Sequence, residues 1–442
     1  MTHLLNVPGF ARGFAYCFCL TLASWAMPYS SASSAPHVSS LALRAQEDLD
    51  HWLNQLRDGS IAEQLEALTR ITELGPEAKP AQKALLETLD SDNLQLSTLA
   101  ALALGAIGPD ASDAIQPIYE RIANVPDKSA YREVLLRYGA ALSMFGESAM
   151  PQLLKGLKSE DRRYFMTCAE ALHAMGAEAA PALPRAKELL SEDTAEQTWT
   201  GAYLVEAIGP SAAEAVPQLI TMLDDDDFHQ QVIAIRALTS IGTEAKAAGP
   251  KLMEVLETGN LSVRSAAAIA LGSIGPVEGI DTAKTLSDLT SNGLDLMRER
   301  ALLGLAALGP AAGDDAAKLL RKLTDDVEYP NRPFAAFAYA KVSGNFEHGI
   351  SVLLALSEDE SSTLMAIPLL GKLGEDAAPA VPRLAKLLSS SDSDLCIEAL
   401  SALQEIGEPA KAALPELRKI TMHQDAEIAG MARRLERKLS KQ

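Results

Sequence analysis

The sequence predicts an all-α chain, an α-solenoid superhelix of about twelve helical hairpins. Three observations predict it. First, an apolar-Gly pair recurs along the chain, and the eleven glycines from Gly75 to Gly407 span 332 residues over ten intervals, or 33.2 each; self-similarity at such a period marks stacked repeats. Second, apolar residues keep a fixed i, i+4, i+7 register against each glycine, which is one face of a helix. Third, hydrophobic residues make up 48% of the chain but aromatics only 5%, and the apolar mass is mostly Ala and Leu, strong helix formers. So apolar a chain is not disordered, and an all-β fold is disfavoured.

Residues 1–32 read as a secretory signal peptide. Arg12 precedes an uncharged apolar run from Phe14 to Met27, followed by Pro28 and the small residues Ser30, Ser31 and Ala32, the order of a cleavable signal. The run is shorter than the roughly 20 residues a helix needs to cross a bilayer. Cleavage is expected after Ala32, leaving no membrane span and removing Cys17 and Cys19 with Arg12, so the net charge falls from -20 to -21. A short linker, 33–40, leads into one continuous array over 41–440. Cys168 and Cys396 lie seven units apart in that array, too far for a disulfide, and read as small buried thiols.

Each unit reads as a hairpin. Glycine after an Ala/Leu-rich run, as at Leu74-Gly75-Pro76 or Ile208-Gly209-Pro210, supplies the αL residue that ends a helix. A proline seven to nine residues later (Pro117, Pro184, Pro217, Pro250, Pro382, Pro415) suits the first turn of the next. Four residues before the glycines stand Ile71, Leu104, Leu142, Leu172, Val205, Leu238, Leu271, Leu305, Ala340, Leu370 and Leu403; eight before stand mostly small residues such as Ala100, Cys168, Gly201 and Ala234. Large and small levels in alternation let helices stack closely. Residues 329–346 read as the weak point, because Pro330 and Pro333 open a second helix that ends in Ser343-Gly344-Asn345.

The run from Leu261 through Val263, Arg264, Ala267 and Leu271 to Gly275 resembles the second helix of HEAT-like repeats of the phycobilisome-lyase type, and the pattern covers nearly all of 41–440. The resemblance implies a binding scaffold more often than an enzyme, with second helices lining the concave side. The arginine that the family places eleven residues before the glycine stands here only at Arg264 and Arg298. Gln64, Ser97, Phe165, Thr198, Gln231 and Cys396 replace it, so a continuous Arg/Asp ladder is not expected.

Chemistry on this scaffold finds few supports. The charge of -20 repels phosphate backbones and anionic headgroups, which excludes nucleic acid as a partner. None of His37, His51, His173, His229, His348 and His423 is followed by Glu or lies three or four residues from another, so no metal cluster and no cofactor is expected. No G-x-S-x-G elbow or Walker A loop occurs. Acidic turns such as Asp90, Asp92, Asp161 and Asp392 precede the second helices and line one edge, as N-caps or as a ridge for basic proteins. Within them Asp224, Asp225, Asp226 and Asp227 are where a divalent cation would bind weakly, without the glycine and closing glutamate of an EF-hand loop.

Of 15 aromatics after residue 32, twelve fall in second helices or their lead-in turns. Tyr138 and Phe145 take core positions. Trp199 and Tyr203 do not, and their counterparts in other units are polar, which implies exposure or a filled gap between helices. With Glu206, Phe228, Arg236 and Thr239 they form the candidate partner-binding set. The function read from these features is a non-catalytic, exported protein-interaction scaffold whose partner is a protein; the alternative is an enzyme or maturation factor holding a small ligand in the groove.

Overall fold

The computed structural model describes residues 49–359 and 362–441. The signal peptide, the linker 33–40, the first residues of the leading hairpin, His37 and the acidic residue Glu360 lie outside the described residues. The chain divides into two compact units, one ending at Ala212 and one beginning at Ala213. Among the described residues no strand forms, and one isolated bridge pairs Val277 with Ile280.

The first unit holds five hairpins. Their second helices are α1 (Ile61–Leu74), α2 (Leu94–Ile107), α3 (Arg132–Ser143), α4 (Arg162–Met175) and α5 (Ala195–Ile208). The second unit holds seven, with α6 (Phe228–Ile241), α7 (Leu261–Ser273), α8 (Asp295–Leu308), α9 (Arg332–Ser343), α10 (Thr363–Gly371), α11 (Ser393–Ile406) and α12 (Ala426–Lys441). Within each unit every second helix packs on the next. The eleven residues four before the glycines, from Ile71 to Leu403, are all fully buried, each Leu or Ile contributing roughly 1.5–3 kcal/mol. The small level brings backbones together: a Cβ on Gly201 would stand 2.7 Å from the Ala186 carbonyl oxygen. Tyr138 and Phe145 are buried as their register requires.

The glycines end the helices differently from the αL expectation. At Gly75, Gly108, Gly176, Gly209, Gly242, Gly309 and Gly407 φ runs from 60° to 82° while ψ runs from -131° to -150°. This is the mirror image of the extended region, open only to a residue without Cβ. Gly344 differs from these seven and is αL, at φ 71° and ψ 2°. An αL residue wraps the chain back over the helix end; the mirror-extended one releases it into a 3₁₀ segment such as Gly75–Ala81 or Gly176–Ala182. With three residues per turn, side chains three apart eclipse. Accordingly Ala78 and Ala81, Ala111 and Ala114, Ala179 and Ala182, Ala245 and Ala248, Ala377 and Ala380, and Ala410 and Ala413 are fully buried in pairs. Pro184, Pro217, Pro250, Pro382 and Pro415 then occupy the first turn of the following helix, where no N–H is needed.

At residues 329–346 neither proline interrupts a helix interior. Pro330 precedes α9 and Pro333 falls within its first two positions, so neither removes an interior hydrogen bond. The segment is tied down by Tyr329, whose hydroxyl donates to the Thr290 carbonyl at 2.9 Å, and by Arg332, which donates to Thr324 at 2.8 Å. Pro368 lies inside α10.

In five hairpins the position eleven residues before the glycine does one job with four kinds of side chain, whereas Thr198 donates within its own helix and Arg298 to Gly293. Gln64 donates to the carbonyl of Leu56 at 3.0 Å, Ser97 to Leu89 at 2.6 Å, Gln231 to Leu223 at 3.1 Å, Arg264 to Leu256 at 2.9 Å and Cys396 to Leu388 at 3.6 Å. Each acceptor lies eight residues back, at the C-terminal end of the hairpin's first helix, where carbonyls lack intrahelical partners. Phe165 has no donor, and there Arg185 of the next first helix reaches the equivalent Leu157 carbonyl at 3.3 Å.

Candidate functional site

The six candidate residues fall into the two units, three in each. On α5, held at its start by Thr194, whose hydroxyl accepts from the Gln197 N–H, Trp199 is half-buried and Tyr203 is 7% exposed. Of the two readings, exposure or a filled gap between helices, Tyr203 takes the second. Tyr203 is buried because both ring faces are covered: the His173 ring stacks on it at 3.7 Å and 3°, and the Trp199 ring at 4.8 Å and 24°. Its hydroxyl donates to Glu170 Oε2 at 3.0 Å, and Arg132 stands 4.0 Å from Glu170 Oε1. Burial pushes the Glu170 pKa up, while the Tyr203 hydrogen bond and Arg132 pull it down. Glu206 is half-buried one turn beyond Tyr203.

In the second unit Phe228 opens α6, 40% exposed, with its ring 3.9 Å from that of His229. Arg236 and Thr239 are half-buried further along the helix, and at ~1.5 Å per residue Arg236 begins about 12 Å from Phe228. Thr239 spends its hydroxyl on the Ile235 carbonyl at 2.7 Å. Trp199 and Tyr203 therefore belong to one stack, whereas Phe228 belongs to the turn edge.

Register reasoning missed His173, Glu170 and Arg132 as parts of this stack. The available signal was the 33-residue offset, which places Glu170 at the level of Tyr203 and His173 at that of Glu206. The α4 and α5 faces together present a rigid aromatic layer with a half-exposed indole outermost and a buried carboxylate at its rim. Such a layer has the shape and polarity to take an apolar or cationic side chain.

The remaining candidates serve the fold. Asp161, Asp227 and Asp392 are N-caps of α4, α6 and α11. Of the four consecutive aspartates, Asp224 pairs with Lys251 at 2.5 Å and Asp225 accepts from the Asp227 N–H. Among the described residues no three metal-ligating side chains converge, there or elsewhere. Cys168 and Cys396 are free and buried, and burial pushes the Cys168 thiol up to about 12, an unreactive state. A cleft of about 320 Å³ in the second unit is lined by Met253, Leu256, Arg264 and Leu289, and its arginine is the one that donates to Leu256.

No family model and no curated protein matches the chain. Solved structures do. Kap121p is similar with a TM-score of 0.52 at 13% identity, over 92% of this chain and 55% of Kap121p. Kap121p bound to Nup53p gives 0.51 at 12% over the same shares. The fold is a HEAT-like α-solenoid. This chain spans about half the length of Kap121p, and the low identity ties the HEAT-like architecture to the repeats and to nothing beyond them.

Proposed function

We propose that this HEAT-like solenoid is a non-catalytic protein-interaction scaffold that works outside the cytoplasm, in the envelope or beyond it. The observation that carries the reading is the His173–Tyr203–Trp199 stack on the second-helix face. It fixes a large aromatic side chain before any partner arrives, and a preorganised indole loses little entropy on binding. Trp199 is then the anchor, Tyr203 and His173 its support, and Glu170 the polar rim that orients a partner's donor; exposed tryptophan is a frequent hot-spot residue. Kap121p carrying a bound protein, Nup53p, is a use of the same architecture that supports protein as the partner class. The second-helix sequence 261–275 supports the phycobilisome-lyase type among HEAT-like repeats. Export rests on the Arg12, Phe14–Met27 and Ser30-Ser31-Ala32 pattern.

Two measurements test this. Sequencing the N-terminus of the exported protein should begin at Ser33; a chain retained in the cytoplasm with Met1 in place contradicts export. Capture from an envelope extract should retain a protein on the intact chain and at least tenfold less of it on Trp199→Ala. Equal capture by both removes Trp199 from the interface.

A further inference from the structure

We propose that the turn edge of the second unit, separate from the Trp199 face, is a docking ridge for a basic amphipathic helix of about 20 residues. Four exposed apolar residues lie there, each 33 residues after the last: Phe228, Leu261, Leu294 and Val327, exposed by 40, 41, 66 and 71%. They stand at or before the starts of α6, α7, α8 and α9, which pack directly in that order, so the four form a row with one residue per hairpin.

Leu294 marks the row as more than surface scatter. Asp227 and Asn260 cap α6 and α7 through their side chains, but the N-cap of α8 is Leu294, whose side chain has no atom to accept the free N–H groups. A position where an acceptor stabilises the helix instead holds a two-thirds exposed leucine. The fold gains nothing from it that a cap would not exceed.

Carboxylates flank the row. Asp225, Asp226, Glu257, Asp326 and Glu328 are exposed beside the four apolar residues; Arg264 and Arg332 turn donors inward to the carbonyls of Leu256 and Thr324, and Arg298 donates to the Gly293 carbonyl and pairs with Asp295. The complement is apolar and cationic. Spacing selects the conformation: packed helices sit roughly 8–10 Å apart, and an α-helix presents one heptad position every ~10 Å. A β-strand repeats a face every ~6.6 Å and falls out of step.

The test uses the full chain and a displayed library of 22-residue peptides. Enriched peptides should carry an apolar residue at seven-residue spacing with an excess of Lys and Arg. A variant with Phe228→Ser, Leu261→Ser, Leu294→Ser and Val327→Ser should bind them at least tenfold more weakly, and Trp199→Ala should bind them unchanged. The single variant Leu294→Asn should weaken binding about threefold while raising the melting temperature by about 2 °C, because it restores a cap. Peptides without basic excess, a proline-rich pattern of apolar residues every third position, equal binding by the quadruple variant, or a lower melting temperature for Leu294→Asn would each overturn the proposal. Adsorption to phosphatidylcholine vesicles in place of peptide binding would do the same.

Discussion

Tyr203 and Trp199 are four residues apart on one helix, yet the structure gives them different energetic roles. Tyr203 is enclosed on both faces and hydrogen-bonded at its tip, so Tyr203→Ala should cost about 3 kcal/mol of stability. Trp199→Ala removes a half-exposed ring and should cost less than half of that. Melting curves of the two variants decide it, and equal losses would make Trp199 a core residue. Glu170 supplies a second residue-scale expectation. Its folded pKa is raised above the ordinary 4.5, chiefly by burial. A carboxyl raised in this way contributes stability that is complete below its unfolded pKa and is lost as pH rises through the folded value. Glu170→Gln keeps an acceptor for the Tyr203 hydroxyl and removes the charge. It should therefore melt above the parent chain at pH 7.5, with the difference closing as pH falls to 4; a difference constant across that range would refute the account.

At the scale of the element, the helix ends carry the sharpest test. Gly209 has φ 70° and ψ -137°, Gly344 has φ 71° and ψ 2°. Asparagine tolerates the second conformation and not the first, so Gly209→Asn should cost about 1 to 3 kcal/mol and Gly344→Asn much less, as read by chemical denaturation. The sequence made the glycines' positions legible, because only glycine recurs at a place where Cβ is excluded, and it made the buried stripe legible, because helical periodicity is local. It left ψ undecided, since αL and mirror-extended glycine look alike in one letter. The paired alanines of the 3₁₀ connectors were visible as Gly-x-x-Ala-x-x-Ala, but their meaning depends on a three-residue turn that alanine itself does not signal. For Tyr203 the sequence left exposure and a filled gap both open: its burial comes from His173, thirty residues away in sequence, and no periodicity within α5 reports that neighbour.

For the whole molecule the dominant long-range quantity is the net charge of -20. Several ion pairs are exposed on both sides, such as Lys79 with Asp110 or Lys318 with Asp315, and exposed pairs add little. Self-repulsion should outweigh them. Shortening the Debye length from roughly 30 Å at 0.01 M salt to roughly 3 Å at 1 M should accordingly raise the melting temperature; a fall would mean that the surface pairs matter more than the excess of carboxylates. The array also repeats one requirement many times, that something donate to the last carbonyls of each first helix. Glutamine, serine, arginine and a thiol all satisfy it, and Phe165 is relieved by Arg185. A carbonyl oxygen discriminates among hydrogens and not among amino acids, so the position constrains geometry while carrying little information about identity. Lineages can therefore drift there without losing the architecture. A chain built on such rules keeps its backbone kinship after its letters have ceased to testify to it.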